Sequence, residues 1–378
     1  MAYVAVQGGQ EAIFESNLLL EYDRIRDVEV LETRLIKSCM KDLVYQVMSE
    51  ASLYDEDLAS LAIKQARGSM EEAVFLLRAH RSTLPRLYYS TITETRTMEV
   101  ERRISSSFKD VPGGQFLGKA FDFKQRFLDF SLFHETKEEM LAKKEEYEQR
   151  NFDKTKVKLN ELPRLVDYLV SQDLMKKRPN NDSIPDDITK KKMEFPTSRS
   201  QRLQSLTRGQ TGAVTSLGYA EIRGFGIGSH PNIGELRVGD LDIHVNPSLI
   251  SEEDTYYQTE DSFYIGSIKV TEVEAFCSGT LNGEEESMLG FEIGYGLVFG
   301  QNESKAIAMS VLDHALEYAD ENSRSQSSDE EFVLLHIDAV ESAGFISHLK
   351  LPHYVTFQSK LDGIRKIRKE QEEKRREK

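Results

Sequence analysis

The chain has 378 residues, 39% of them hydrophobic and 30% charged, which at roughly 100 to 200 residues per domain makes two or three domains and excludes both a minimal stapled fold and global disorder. Its 49 Lys and Arg stand against 64 Asp and Glu, a formal charge of -15. That balance argues against a general binder of nucleic acid or anionic membrane and leaves room for a local basic pocket.

Tyr3 to Val6 reads as a short β-like run ending in Gly8-Gly9. The start has no basic stretch followed by an apolar core, and no run reaches the roughly 18 to 20 apolar residues of a membrane span, so a cytoplasmic protein is expected. Residues 10 to 110 carry mostly helical periodicity. In Ser69-Met-Glu-Glu72 the serine is placed to cap a helix running to Arg81, with Glu72 returning the bond and Pro85 closing the segment. Residues 98 to 133 hold a basic pair, a Pro-Gly-Gly turn and then what reads as an aromatic helix. From Glu135 to Asn160, 14 of 26 residues are charged with mixed sign, the texture of a solvated helix or surface segment. Residues 176 to 196 are rich in proline and polar turn formers and read as a loop. Phe195-Pro196 then leads into a basic amphipathic helix. Strands are expected at Ala213 to Ile222, Leu236 to Val245, Ser262 to Thr271 and Phe291 to Phe299, and helices at Glu303 to Asp320 and Glu330 to Ser347, before a charged tail. The pattern predicts an α+β protein: a helical N-terminal region (1–134), a charged connecting segment (135–195), a C-terminal region with a mainly antiparallel sheet flanked by helices (196–361), and a tail (362–378).

Three glycine clusters stand out, around Gly113-Gly114, from Gly224 to Gly228, and from Gly294 to Gly300. None is followed by the Lys-Ser or Lys-Thr of a phosphate-binding loop. The third precedes Asn302, a candidate helix cap, and reads either as a tight turn or as a helix N-terminus offering N–H groups to an anion. Basic residues recur beside these turns: Arg102, Arg103 and Lys109 in one group, Arg199, Arg202 and Arg208 in another. Guanidinium forks match phosphate oxygens, but solvated faces also carry arginine. His348-Leu-Lys-Leu-Pro-His353 is the sharpest local pattern. On an unbroken helix its rings would lie about 140° apart, yet Pro352 should end the helix, and a turn there could bring both imidazoles together. They could equally be structural helix-end histidines, and two are half a tetrahedral zinc shell. Cys39 and Cys277 stand far apart with no CxxC, so thiolates cannot complete such a shell by motif. His230, between a glycine loop and Pro231, is a candidate acid or substrate contact; Glu221, Glu235, Asp240, Asp242, Glu292 and Asp338 lie near expected turns or strand ends.

Val100-Glu-Arg-Arg-Ile-Ser105, Phe108 to Gly118 with its Val-Pro-Gly-Gly, Ser198-Arg-Ser-Gln-Arg-Leu-Gln204, His230-Pro231, Gly294 to Gly300 and Asp329 to Tyr354, in this order, resemble the nucleosidase subunit, subunit I, of the bacterial carbon-phosphorus lyase complex. The resemblance runs from the first residues to about Leu361 and departs in the charged insert, at Thr197 and in the tail. It implies a transferase component of α-D-ribose 1-methylphosphonate 5-triphosphate synthase, in which an alkylphosphonate displaces adenine from C1′ of MgATP, with purine nucleotide N-glycosidase activity when alone. It also implies companion subunits G, H, J and L, two copies of this chain per core complex, and zinc at His348 and His353. Glycoside-like chemistry then makes Asp338, Glu341 and Glu221 candidates for stabilising the ribose cation or activating water, and His230 for protonating the base. Arg102, Arg103, Lys109, Arg199, Arg202 and Arg208 become candidates for triphosphate or phosphonate. The alternative is a non-catalytic scaffold that docks the radical S-adenosylmethionine subunit; a zinc hydrolase is disfavoured because no HExxH is present.

Overall fold

A computed structural model describes residues 9–26, 29–150, 157–177, 183–225, 230–247, 257–282, 287–318 and 325–376. The expected Tyr3 to Val6 run lies outside them. The fold is α+β. Helices α1 (Gln10–Ile25), α2 (Thr33–Cys39), α3 (Lys41–Ala51), α4 (Glu56–Gln65) and α5 (Met70–Thr83) form the N-terminal block. Asp55 starts α4 by accepting from the Asp57 and Leu58 N–H groups at 3.0 and 2.8 Å, and Ser69 starts α5 by accepting from Glu72. Ile36, Val44, Met48, Ala59, Ile63, Val74 and Leu77 close a core of their own, whereas α1 buries none of its side chains.

Strand β1 (Glu99–Ile104) follows, but the aromatic helix expected after it does not form. Tertiary partners take the backbone instead: Phe116 exchanges both amide bonds with Arg103, Arg102 holds the Leu117 carbonyl, and Gln301 holds that of Lys119. Phe121, Phe123, Phe127 and Phe133 are left exposed. Helix α6 (Lys137–Gln149), opened by a Thr136–Glu139 capping box, is exposed throughout, as mixed charge predicts. Next come β2 (Val157–Lys158), α7 (Leu165–Ser171), α8 (Arg199–Arg208) and α9 (Thr211–Ala220). The last occupies the segment expected as a strand. Its Val and Tyr imitate a strand, but Gln210 caps the Ala213 N–H at 2.6 Å and Val214 turns into the core at helical spacing.

Strands β3 (Asn232–Val245), β4 (Phe263–Asn282) and β5 (Ser287–Phe299) complete an antiparallel sheet of order β2-β1-β3-β4-β5. After it run α10 (Glu303–Glu317), α11 (Glu330–His336), α12 (Ala339–His348) and α13 (Tyr354–Arg376). The single helix expected from Glu330 to Ser347 is therefore two, because Asp338 accepts from the Val340 and Glu341 N–H groups and begins α12 anew. One sheet face packs on α10 with α8, α9 and α11 through Leu206, Leu236, Val273, Val298, Met309 and Leu312. Gly294 and Gly296 belong to this face, inside β5 and not in a turn: a Cβ at either would land on the α10 carbonyls of Ser310 or Ala306. Asn302 then caps α10 by accepting from the Lys305 N–H at 3.2 Å. The opposite face carries two smaller apolar clusters, around Met98 and Val270 and around Leu165 and Phe276. No described helix is long and apolar enough to cross a membrane.

Candidate functional site

The break at Pro352 brings the two histidines together, with ring centroids 5.1 Å apart. Each Nδ1 faces a backbone carbonyl, that of Phe345 for His348 and that of Leu351, at 2.7 Å, for His353. A ring that donates from Nδ1 keeps its Nε2 lone pair for a metal, which is the tautomer-fixing arrangement common behind zinc ligands. His353 is exposed and His348 half-buried, and among the described residues no group of three or more His, Cys, Asp or Glu could hold an ion. The pair thus fits half of a tetrahedral shell. His348 also borders a groove of ≈ 720 Å³ between α5 and α12, lined by Ser69, Glu72, Phe75, Val340 and Ser347 among others.

The cation candidates are dispersed by the sheet. Arg102 and Arg103 are successive in β1 and so face opposite ways. Arg102 turns to α10, meeting Glu303 at 2.9 Å and Asp122. Arg103, wholly buried, holds Glu235 and the carbonyls of Pro112 and Pro163 at 2.8 and 2.7 Å, which pins the Pro-Gly-Gly turn to the sheet. Arg199 reaches Asp313 at 2.9 Å; Arg202 holds Glu317 and lies near Glu330 at 3.7 Å. Lys109 is exposed and Arg208 half-buried, and neither has a carboxylate within ion-pair distance among the described residues. Arg208 sits beside Arg78 and Arg81, and burial together with these two like charges brings its pKa down to about 10.

Among the acid and base candidates, Asp338 is committed to two tasks, the α12 cap and a two-oxygen ion pair with Arg78 at 2.7 and 2.9 Å. Glu341 is exposed in the first turn of α12. Glu221 accepts from Ser327 at 2.6 Å at the end of α9, and His230 is exposed with Nδ1 3.0 Å from the Pro231 carbonyl. The glycine loop between these two lies outside the described residues. Glu292 pairs with His314 at 3.0 Å beside Cys277, whose thiol is pushed up to about 12 by burial and then by Glu292 and Glu221.

A family model described as bacterial phosphonate metabolism protein (PhnI) matches residues 2–371. The chain belongs to this family. It is 41% identical over 377 residues to the α-D-ribose 1-methylphosphonate 5-triphosphate synthase subunit PhnI of Rhizobium meliloti (strain 1021), covering 97% of this chain and 95% of that one. With the subunit of the same name from Escherichia coli (strain K12) it shares 40% over 373 residues, 98% of this chain and 99% of the relative. The putative C-P lyase subunit protein HtxH of Stutzerimonas stutzeri is 38% identical over 371 residues.

The family match runs through a feature that motif reading missed. Glu235 and Arg237 on β3 stand across from Glu274 and Glu272 on β4, all on the sheet face away from α10. With Arg103 and Arg164 they make a buried lattice of three guanidiniums and three carboxylates, joined by Tyr295, whose hydroxyl donates to Glu272 at 2.9 Å. Burial works to lower the Arg237 pKa, but Glu274, Glu272 and Glu235 outweigh it and hold the group well above the usual arginine value. Burial works to raise Glu272, and Arg237 and Arg164 outweigh it in turn, keeping the carboxyl below 4.5. The available signal was charge at alternate strand positions, Glu235 with Arg237 and Glu272 with Glu274, where a solvent-facing strand would look the same. In this PhnI-family chain the lattice joins β1, β3, β4 and the Arg164 segment, and its role is to fix the sheet that carries α10 and the loops.

Proposed function

We propose that the chain is the subunit of α-D-ribose 1-methylphosphonate 5-triphosphate synthase that governs adenine displacement from C1′ of MgATP by an alkylphosphonate, and that alone it cleaves the purine N-glycosidic bond with water. The observation that carries this reading is the near full-length identity, 41% and 40%, with two proteins named as that synthase subunit. Displacement leaves positive charge on the ribose and negative charge on the base. Glu341, exposed and free of ion pairs among the described residues, is the candidate best placed to face the ribose, with Glu221 second; Asp338 supports the site through Arg78. His230 supplies the proton to the base. Lys109 and Arg208 take triphosphate or phosphonate oxygens with Mg²⁺, while Arg102, Arg103, Arg199 and Arg202 hold protein carboxylates and shape the fold around them. Zinc at His348 and His353, completed by a ligand or by a companion subunit, would supply a Lewis-acidic centre. The companions are subunits G, H, J and L, with two copies of this chain in the cytoplasmic core complex.

The test is free adenine, followed by chromatography from MgATP with the purified chain alone and then with companion subunits and methylphosphonate. Adenine from the chain alone is expected. Its absence from both mixtures overturns the assignment. A scaffold that docks the radical subunit is the second reading, favoured by the exposed Phe345, Ile346, Leu349, Tyr354 and Val355 around the His pair; adenine from the mixture only would favour it. For the metal, His348→Ala and His353→Ala should each lower the zinc recovered with the assembled complex, measured by elemental analysis, and unchanged zinc in both variants removes the site.

A further inference from the structure

Among the described residues every fully buried arginine is matched to carboxylates. Arg102, Arg103, Arg202 and Arg237 all meet carboxylates. Where the end of α5, the end of α8 and the start of α12 converge, the match fails. Arg78 lies at the centre, donating to the Glu50 carbonyl through Nε and Nη2 at 3.0 and 2.8 Å, to the Arg208 carbonyl at 3.2 Å, and to Asp338. Asp338 therefore pairs with Arg78 and reaches Arg208 only through space. Arg81 and Arg208, both half-buried, meet no carboxylate within ion-pair distance among the described residues: Arg81 donates to the Ser52 carbonyl at 3.4 Å, and the carboxylates that act on the two through space are Asp187 for Arg81 and Asp338 with Glu341 for Arg208. Two half-buried guanidiniums held near a third with no carboxylate in direct contact are costly unless something negative comes to them.

We propose that Arg81 and Arg208, backed by Arg78, form a binding site for a phosphate-type oxyanion at the Asp338 end of the α5–α12 pair. The position suits the proposed reaction. Helix α12 has 10 residues, about 15 Å at 1.5 Å per residue, so the site stands that far from the His348 end. Two forks around a neutralised centre offer bidentate bonds to a phosphoryl group, and an anion there would offset what holds the pKa of both below the usual arginine value: burial first, then neighbouring guanidiniums, Arg78 and Arg86 for Arg81 and Arg78 and Arg81 for Arg208. The assignment of this anion to the triphosphate of MgATP rests on the function proposed above; the site itself does not. The competing structural role is plain: Arg81 and Arg208 are in the last turns of α5 and α8, where a cation also complements the helix dipole.

The probe is inorganic tripolyphosphate, titrated calorimetrically into the full-length chain at low and raised salt. Arg81→Gln and Arg208→Gln should each weaken binding roughly tenfold or more, the loss of a charge-assisted contact, while Lys143→Gln on exposed α6 leaves it unchanged. Arg81→Lys and Arg208→Lys keep the charge at the helix ends, preserve the thermal midpoint and should fall between the two, because ammonium lacks the fork. Affinity equal in the Gln variants and the unaltered chain, or no binding by the unaltered chain, overturns the site. Tripolyphosphate binding lost in the Gln variants while the synthase mixture releases no adenine would keep the site and sink the reaction assignment.

Discussion

Arg237 lies wholly buried among Glu235, Glu272 and Glu274, so its charge is a requirement of theirs. Arg237→Leu should cost on the order of 3 to 5 kcal/mol in denaturant unfolding, since it strands carboxylates in the interior; a loss under about 1 kcal/mol would mean that water reaches them. Lys305 makes the opposite case. Its Nζ donates to the Thr207 carbonyl at 2.6 Å from a fully buried position, and burial pulls its pKa from 10.5 to about 8. The folded value lies below the unfolded one, so between those two limits the unfolded chain holds more protons and stability rises with pH. Below about 8 the contribution is flat. Lys305→Met should abolish the rise between neutral pH and pH 10, read as the shift in urea midpoint; a rise that persists would assign it to other groups. Neither residue announced itself in the sequence. A lysine one turn into a helix, and an arginine on an alternating strand, are written in the same letters whether they face water or the core.

The elements were legible where local signals and tertiary packing agree. Strands β3 and β5, helix α10 and the capped start of α5 stand where alternation, helical spacing and Ser69 put them. Disagreement arose where distant side chains claim backbone groups. Gln301 and Arg102 keep residues 117 to 119 out of a helix, and no reading of the aromatic spacing there could have seen partners so far along the chain. In α9 the β-branched and aromatic residues pointed to a strand and the Gln210 cap decided otherwise. Between β5 and α10 the glycines are the packing device. Gly296→Val should drive α10 off the sheet and lower the thermal midpoint or abolish soluble expression. Gly363→Ala in α13, with open space around it, should be neutral or stabilise by about 0.5 to 1 kcal/mol through helix propensity. Equal effects at the two positions would refute the close-approach argument.

At the scale of the molecule, family and fold class were readable because both are spread along the chain, whereas the site was not, because charge balance is a property of neighbours in space. Arg208 looked like Arg102 and Arg202 in sequence; what separates them is that the latter two hold carboxylates in ion pairs, whereas among the described residues Asp338 and Glu341 act on Arg208 only from beyond that distance. Helix α13 has no buried residue, so truncation after Asp362 should leave the unfolding free energy within about 0.5 kcal/mol, and a larger loss would show that the helix is packed in solution. The sheet has a further consequence for how the chain is made. Arg103 and its carboxylate Glu235 are 132 residues apart, which at about 5 to 20 residues per second is roughly 7 to 26 s of synthesis. The helical block, with its own core, is complete before then. During that interval β1 has only the Phe116 bridge and the two-residue β2 beside it, and its β3 edge stands open with charged guanidiniums on the strand, a feature that discourages pairing with a foreign strand.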